Sequence, residues 1–433
     1  MKIKALFFIP GTIFALYVRL LFSPLTMIMA AEDNVARPPN IQIDGENQDL
    51  DYFRLREIFF GLDKHHSQPV LLGRIPFPFL PFELAQEFLE KFLASIHLLA
   101  PFTDPEKYRC MLRQLYSQQE ERTMTLAKTV ILLLVLANGA TLTSNVLWME
   151  ALYDRAKAEA ASLEDVVNLE AIQISLLMAH YLGTRGRPNS CYLQLGVASR
   201  KAYAAGLHKD VGYKPKEATA SQQAEERRVT FWALVFLERW VSFWLGRSSS
   251  IIPDIISTPF PNDTLFILAI SELSSIIAHS TQEMYERGRL PPSRLWELAK
   301  HTRSDLQAFQ RRIEPMFQFR LDGTIHNETV AIEHFYLTTL FMHTFIITFR
   351  PFLIIHYSWK KANNRTADSN VPLTLPTEMW WLPDACQVAV QSAQKLIDFF
   401  TEAAKRSTVV RVSFKISPSQ LPKTISHQSC LIS

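Results

Sequence analysis

Along most of the chain, apolar residues return every three or four positions, and polar clusters holding Gly, Pro or Asn separate the runs. Three such runs stand in a row between Leu169 and Gly246. In the first, Leu169, Ile172, Leu176 and His180 share helical spacing, and apolar neighbours widen the stripe, which predicts a helix buried on more than one side. The loop Gly183 to Asn189 breaks it. The second run, from about Ser190, turns Tyr192, Leu195, Ser199 and Ala202 or Tyr203 inward, with Gly196 in the same face. A glycine inside a helix costs roughly 1 kcal/mol against alanine, so a closely approaching neighbour helix is expected there. Gly206-Leu207-His208 then suits a left-handed glycine stop.

The third run opens on a capping-box pattern, Thr219 to Gln222. Glu225, Glu226, Arg227 and Arg228 read as its solvated first turn, with acids at the positive helix end. Trp232, Val235, Phe236, Arg239, Trp240 and Phe243 follow as an aromatic stripe, expected to be core rather than a ligand box. Arg239 and Arg247, set among aromatics, are expected to be structural cations that reach carboxylates or helix carbonyls.

The flanking segments continue the same class. Leu84, Phe88, Phe92 and Ile96 mark one face of a helix starting near Phe82, after the proline-broken strip Ile75 to Pro81. A short helix is predicted over Pro105 to Gln118. Thr123 to Thr143 reads as a central buried helix rather than a membrane span, being short and closely followed by polar residues. Asn145 to Ala161 is amphipathic, with Leu152 and Ala156 inward. Leu265 to Arg287, Pro292 to Arg312, Asn327 to Phe352 and Trp380 to Lys405 read as further helices, with a polar surface loop over Lys360 to Pro376. The organisation expected is an apolar leader over 1–31, an irregular lead-in over 32–75, a helical body over 76–405 and an unstructured tail over 406–433.

The leader combines Lys2 and Lys4 with a long apolar stretch that Pro10, Arg19 and Pro24 interrupt. Three readings stay open for it: a gene-model artefact or replaced exon, a targeting or membrane segment, and a buried helix.

Composition narrows the chemistry. The net charge of +3 over 433 residues is too small to imply nucleic-acid binding by field alone. Cys110, Cys191, Cys386 and Cys430 lie far apart, in no metal-ligand spacing, and are expected to be isolated buried thiols. Phosphate-loop, dinucleotide, zinc-hydrolase and nucleophile-elbow motifs are not found in the sequence. His65-His66 reads as a solvated pair, and His180 and His208 as satisfied core or cap histidines. No catalytic, cofactor-binding or metal-binding residue is therefore assigned, and no enzyme is expected.

The order of signals resembles the middle regulatory domain of fungal zinc-cluster transcription factors, of the xylanolytic-activator type. The residues that carry it are Leu169-Glu170-Ala171-Ile172-Gln173; Leu195-Gly196-Val197-Ala198 with Arg200 and Ala202; Gly206-Leu207-His208-Lys209-Asp210; and Glu226-Arg227-Arg228. They continue with Phe231-Trp232, Glu238-Arg239-Trp240, Gly246-Arg247 and Asp254 to Pro261. Phe88 to Phe102, Phe349-Arg350-Pro351-Phe352 and Cys386 to Ala393 extend the likeness on either side. Its best-matching part runs over 84–263. Two departures stand out: Glu238 where the family usually has aspartate, and Ser248 where it usually has proline.

The resemblance implies an all-α fold, a large multi-helix bundle, with a regulatory role in the nucleus. Its motif residues, here Gln173, Gly196, Arg200, Gly206, His208, Arg228, Trp232, Arg239, Gly246 and Arg247, would then be structural. The implied partners are other transcription proteins or a homodimer mate, with a small effector also open. DNA, and the zinc that the family's six-cysteine module binds, would be contacted only through that module, which no segment of this sequence can form. The alternative is a membrane-tethered or secreted helical protein using residues 1–31.

Overall fold

The structure, a computed structural model, describes residues 80–117, 124–209, 218–245, 247–262, 264–281, 290–364 and 375–413. The leader, the lead-in, His65-His66, most of the proline strip, Gly246, residues 365–374 of the surface loop expected over Lys360 to Pro376, and the chain after Ser413 lie outside them. Among the described residues every regular element is a helix, in two compact units that divide at Ala278.

The first unit is built around α3 (Leu126–Ala140), in which every residue from Val130 to Ala140 is buried. Its apolar run has no polar face to turn outward, so the helix is enclosed on all sides. α1 (Phe82–Ser95), α2 (Pro105–Tyr116), α4 (Val146–Ala160) and α5 (Leu169–Thr184) pack against it. α6 (Pro188–Ala204) pairs with α5, and α7 (Ala218–Leu245) packs on both. α5 is buried over Ala171–Ala179, as its wide apolar stripe predicts.

Both helices of the α5–α6 hairpin end on the same device. After α5, Gly186 takes φ 69° and Arg187 N–H donates to the Leu182 carbonyl over 3.0 Å. After α6, Gly206 takes φ 68° and Leu207 N–H donates to the Ala202 carbonyl over 3.0 Å. These six-to-one bonds across a left-handed residue satisfy carbonyls that the helix leaves open.

The expected close approach at Gly196 is not found: nothing among the described residues lies within 4 Å of a Cβ built there. It occurs at Gly139 instead, where a Cβ would stand 1.9 Å from the Phe88 carbonyl oxygen. α1 and α3 cross with their backbones in contact, and only glycine leaves room for it. Thr219 is also not a cap, because α7 already includes Ala218.

The second unit holds α9 (Pro292–Phe317), α10 (Ala331–Asn364), α11 (Leu382–Arg406) and α12 (Thr408–Ser413), while α8 (Leu265–Thr281) runs across the dividing point. α10 and α11 pack along each other around Phe349, Phe352, Leu382, Ala385 and Ala389. Trp296 of α9 closes that core by stacking on Trp381, with ring centroids 5.3 Å apart and planes 5° apart. The stretch Glu328–Lys360 is long and apolar enough to cross a membrane, yet 67% of its apolar window is buried inside the protein. The short α12 corrects the expectation of an unstructured chain directly after Arg406. The Glu328 carboxylate accepts from Ser407 Oγ and from the Thr408 and Val409 N–H groups, which caps that helix.

Candidate functional site

The motif residues converge where α5, α6 and α7 meet the strap 247–262 that follows α7. Gln173 projects from α5 and donates its side-chain amide to Glu226 Oε1 over 3.2 Å and to Thr230 Oγ1 over 3.2 Å. Glu226 Oε1 also accepts from Thr103 Oγ over 3.3 Å, so one carboxylate ties the α1–α2 connection, α5 and α7 together. The adjacent Glu225 accepts from the Asn262 N–H over 2.7 Å and pairs with Arg228 over 3.2 Å. Arg227 reaches the Ala205 carbonyl at the end of α6 over 3.2 Å. The sequence Glu225 to Arg228 is thus a half-buried clamp and not the solvated first turn expected. Four adjacent charges read as a wet surface, but each side chain has a different element to hold.

The strap is fastened in the same way. Trp232 is buried, donates Nε1–H to the Pro259 carbonyl over 2.8 Å and stacks on Phe260 at 4.3 Å. The His208 carbonyl accepts the N–H groups of Ser257 and Thr258. Ile252 N–H donates to Tyr203 Oη over 2.8 Å. Arg247 donates to Asn189 Oδ1 over 2.6 Å and lies 4.9 Å over the Tyr192 ring, whose hydroxyl donates to the Ser248 carbonyl. Glu238 is buried and accepts from Ser242 Oγ, Ser249 Oγ and Ser250 N–H, closing the turn out of α7. Arg239 is buried too, and it donates to the Ser275 hydroxyl over 3.4 Å in place of the carbonyl or carboxylate expected. Burial lowers its pKa, with the Glu238 charge opposing that fall.

The core stripe Trp232, Val235, Phe236, Arg239, Trp240 and Phe243 is buried throughout, as expected. Of the other motif residues, Gly206 supplies the left-handed stop, whereas Gly196 and Arg200 stand on the open side of α6 and join no part of the clamp. His208 serves through its backbone, and among the described residues its buried Nδ1 has no hydrogen-bond partner, against the satisfied side chain expected.

Asn138, a lone amide in an apolar run, is not among the residues that the periodicity singles out. Its Nδ2 donates to the Leu134 and Leu177 carbonyls, and its Oδ1 faces His180 Nδ1 at 2.9 Å. Burial pushes His180 down to about 4, so the ring is neutral near pH 7 and its Nδ1–H donates to Asn138. The polar residue inside the apolar run was the available signal.

Beside the clamp, α4 and α6 stand apart over α5 and leave an open cleft of about 950 Å³. Ile174, Met178, Tyr181 and Leu182 make its floor, Asp154 and Lys157 line the α4 wall, and Leu193 and Val197 line the α6 wall. Tyr153 stacks on Tyr181 at 4.0 Å, and Arg185 pairs with Glu150 over 2.8 Å at one mouth. Among the described residues, no three His, Cys, Asp or Glu side chains converge as metal donors. Cys191 is buried and pushed up to about 12 by desolvation, while Cys110 is exposed, against the expectation of buried thiols.

The sequence profile described as the fungal specific transcription factor domain matches residues 86–362, which takes in the clamp, the strap and the cleft. The chain belongs to this family. It is 31% identical over 24% of its length to Activator of stress genes 1 of Saccharomyces cerevisiae. It is 33% identical over 22% to the thiamine repressible genes regulatory protein of Schizosaccharomyces pombe, and 32% identical over 24% to the lactose regulatory protein of Kluyveromyces lactis. The matched stretches span 11% to 12% of these curated relatives' own lengths. No solved structure matches the chain. The relatives are transcription regulators by name, so the clamp belongs to a regulatory domain family and not to an enzyme family.

Proposed function

We propose that this chain is the control module of a nuclear transcription regulator, working through contacts with other transcription proteins, a homodimer mate or a small effector. The match to the transcription factor domain over 86–362 carries this reading, because it coincides with the clamped helices and their cleft. Contacts to DNA would run through a separate zinc-cluster module, as the family resemblance implies.

Physically, regulation needs a body with more than one arrangement and a ligand or partner that prefers one of them. Glu226 ties three elements through hydrogen bonds to one carboxylate, and the strap closes over α6 through side chains of α7. A displacement of α5 or of the strap therefore loads the same few bonds.

Fusing the full chain to a heterologous DNA-binding module ahead of a reporter tests the proposal. Reporter output is expected to depart from that of the DNA-binding module alone, with the fusion in the nucleus. Output equal to the module alone in every growth condition, with the fusion folded, would overturn it.

A further inference from the structure

We infer that Ser250 is a phosphorylation site, and that a phosphate there releases the first half of the strap from α7.

The entry to the strap hangs on one carboxylate. Glu238 is 1% exposed, and its Oε1 accepts from Ser250 N–H over 2.5 Å and from Ser242 Oγ over 3.3 Å. Its Oε2 accepts from Ser249 Oγ over 2.5 Å, and Ser249 Oγ in turn accepts from Ile251 N–H over 3.1 Å. One enclosed acid thus organises the backbone from Ser249 to Ile251. A charge so far out of water is tolerated only while its donors stay in place.

The three serines of this turn differ in what their hydroxyls do. Ser249 is half-buried and spends its hydroxyl on Glu238. Ser248 is exposed, and its contact runs through its carbonyl to Tyr192, away from the acid. Ser250 is exposed and meets Glu238 through its N–H, so its hydroxyl stands outside that bond. Residues 247–252 form neither helix nor strand, so an external enzyme can draw them into an extended shape. Arg247, three residues ahead of Ser250, supplies a cation for an acid-lined substrate cleft.

The enzyme would be a protein kinase using a nucleoside triphosphate. The Ser250 Oγ–P bond forms, the bridging P–O bond of the triphosphate breaks, and nucleoside diphosphate leaves. The hydroxyl proton passes to the kinase's base.

The product places a charge of about −2 beside Glu238. A serine Oγ lies about 3 Å from its own backbone nitrogen by covalent geometry, and that nitrogen is 2.5 Å from the carboxylate. Phosphate and carboxylate would therefore stand about 5 Å apart, one of them enclosed, where like charges repel strongly. Arg239 does not come between them, since it reaches toward Ser275 of α8. Glu238 is fixed in α7, so the phosphate moves and takes the entry of the strap with it. Arg247 follows the phosphate and leaves Asn189 and the Tyr192 ring on α6. The far half has fastenings of its own, Ser257 and Thr258 on the His208 carbonyl and Trp232 on Pro259, where the release stops.

Incubating the full chain with an arginine-directed serine kinase and magnesium ATP tests the site, with mass spectrometry locating the phosphate and hydrogen exchange reading the strap. Phosphate is expected on Ser250. The Ser250 and Ile252 amides should then exchange at least about tenfold faster, with Ser257 and Thr258 unchanged. Ser250→Ala should block the modification and leave Ile252 protected, whereas Ser250→Glu should reproduce part of the acceleration without a kinase. Glu238→Gln keeps an acceptor and removes the repelled charge, so phosphorylating that variant should accelerate exchange by less than about threefold. A chain left without phosphate on Ser250, or a phosphorylated chain that exchanges like the unmodified one, overturns the inference. Equal acceleration in Glu238→Gln overturns it as well. These readouts follow the strap and not the reporter, so their failure leaves the regulatory reading standing.

Discussion

Gln173 donates its side-chain amide to the Glu226 carboxylate over 3.2 Å, joining α5 to α7 in the middle of the first unit. The same carboxylate oxygen accepts from Thr103, so its removal strands two donors at once. Glu226→Ala is expected to destabilise the fold by about 2–3 kcal/mol, the cost of unpaired, partly buried hydrogen-bonding groups. Gln173→Ala should cost less, and the double variant should show coupling of about 1 kcal/mol. Urea midpoints of the four proteins measure both; strict additivity would mean that the bond holds nothing.

Two glycines should respond in opposite directions. Gly139→Ala drives a methyl group into the Phe88 backbone, so α1 and α3 must separate, at a cost of more than about 3 kcal/mol. Gly196→Ala meets open space among the described residues and should stabilise the fold by about 0.5–1 kcal/mol. Thermal melts of the two variants against the unaltered chain check the pair.

Trp232 stacks on Phe260 and holds the Pro259 carbonyl, so it carries both an apolar and a polar part of the strap. Trp232→Phe keeps most of the ring and loses the hydrogen bond, an expected loss of about 1–2 kcal/mol. Trp232→Ala also opens a cavity and should cost about 3–5 kcal/mol. Limited proteolysis should then cut first within 247–262.

The His180 pair makes stability depend on pH. Its folded value of about 4 lies below the ordinary 6.5, so below pH 6.5 the unfolded chain binds a proton that the folded chain refuses. Stability is therefore present above the unfolded value and is lost as pH falls toward the folded one. From about pH 6.5 to about pH 5 this histidine alone should remove roughly 1–2 kcal/mol. His343, pushed down to about 3 by burial and by Arg350, adds a loss of the same sign. Melts of His180→Gln against the unaltered chain should show a shallower decline over that range.

The helices were legible because apolar periodicity is a local property, and so was the stop at Gly206, since a left-handed residue asks for glycine wherever it occurs. The helical pattern points to a close approach at Gly196, whereas it sits at Gly139, because a backbone crossing depends on which helix arrives from elsewhere. The clamp is hidden in the sequence for a related reason. Glu225 to Arg228 looks like a solvated patch until Gln173, Thr103, Ala205 and Asn262 are brought to it by the fold. Asn138 could have been found, because an amide among eleven enclosed residues needs partners, and the nearest candidates lie on a helix predicted to be buried.

The parallel indoles of Trp296 and Trp381 give the C-terminal unit an optical signature of its own. Two chromophores stacked this closely couple their excited states, so the pair should contribute a split band to the ultraviolet circular dichroism. That band should vanish as soon as α9 leaves the end of α11, while the backbone signal persists. Loosening of this unit could then be watched in the intact regulator, without attaching a dye and without waiting for the helices to melt.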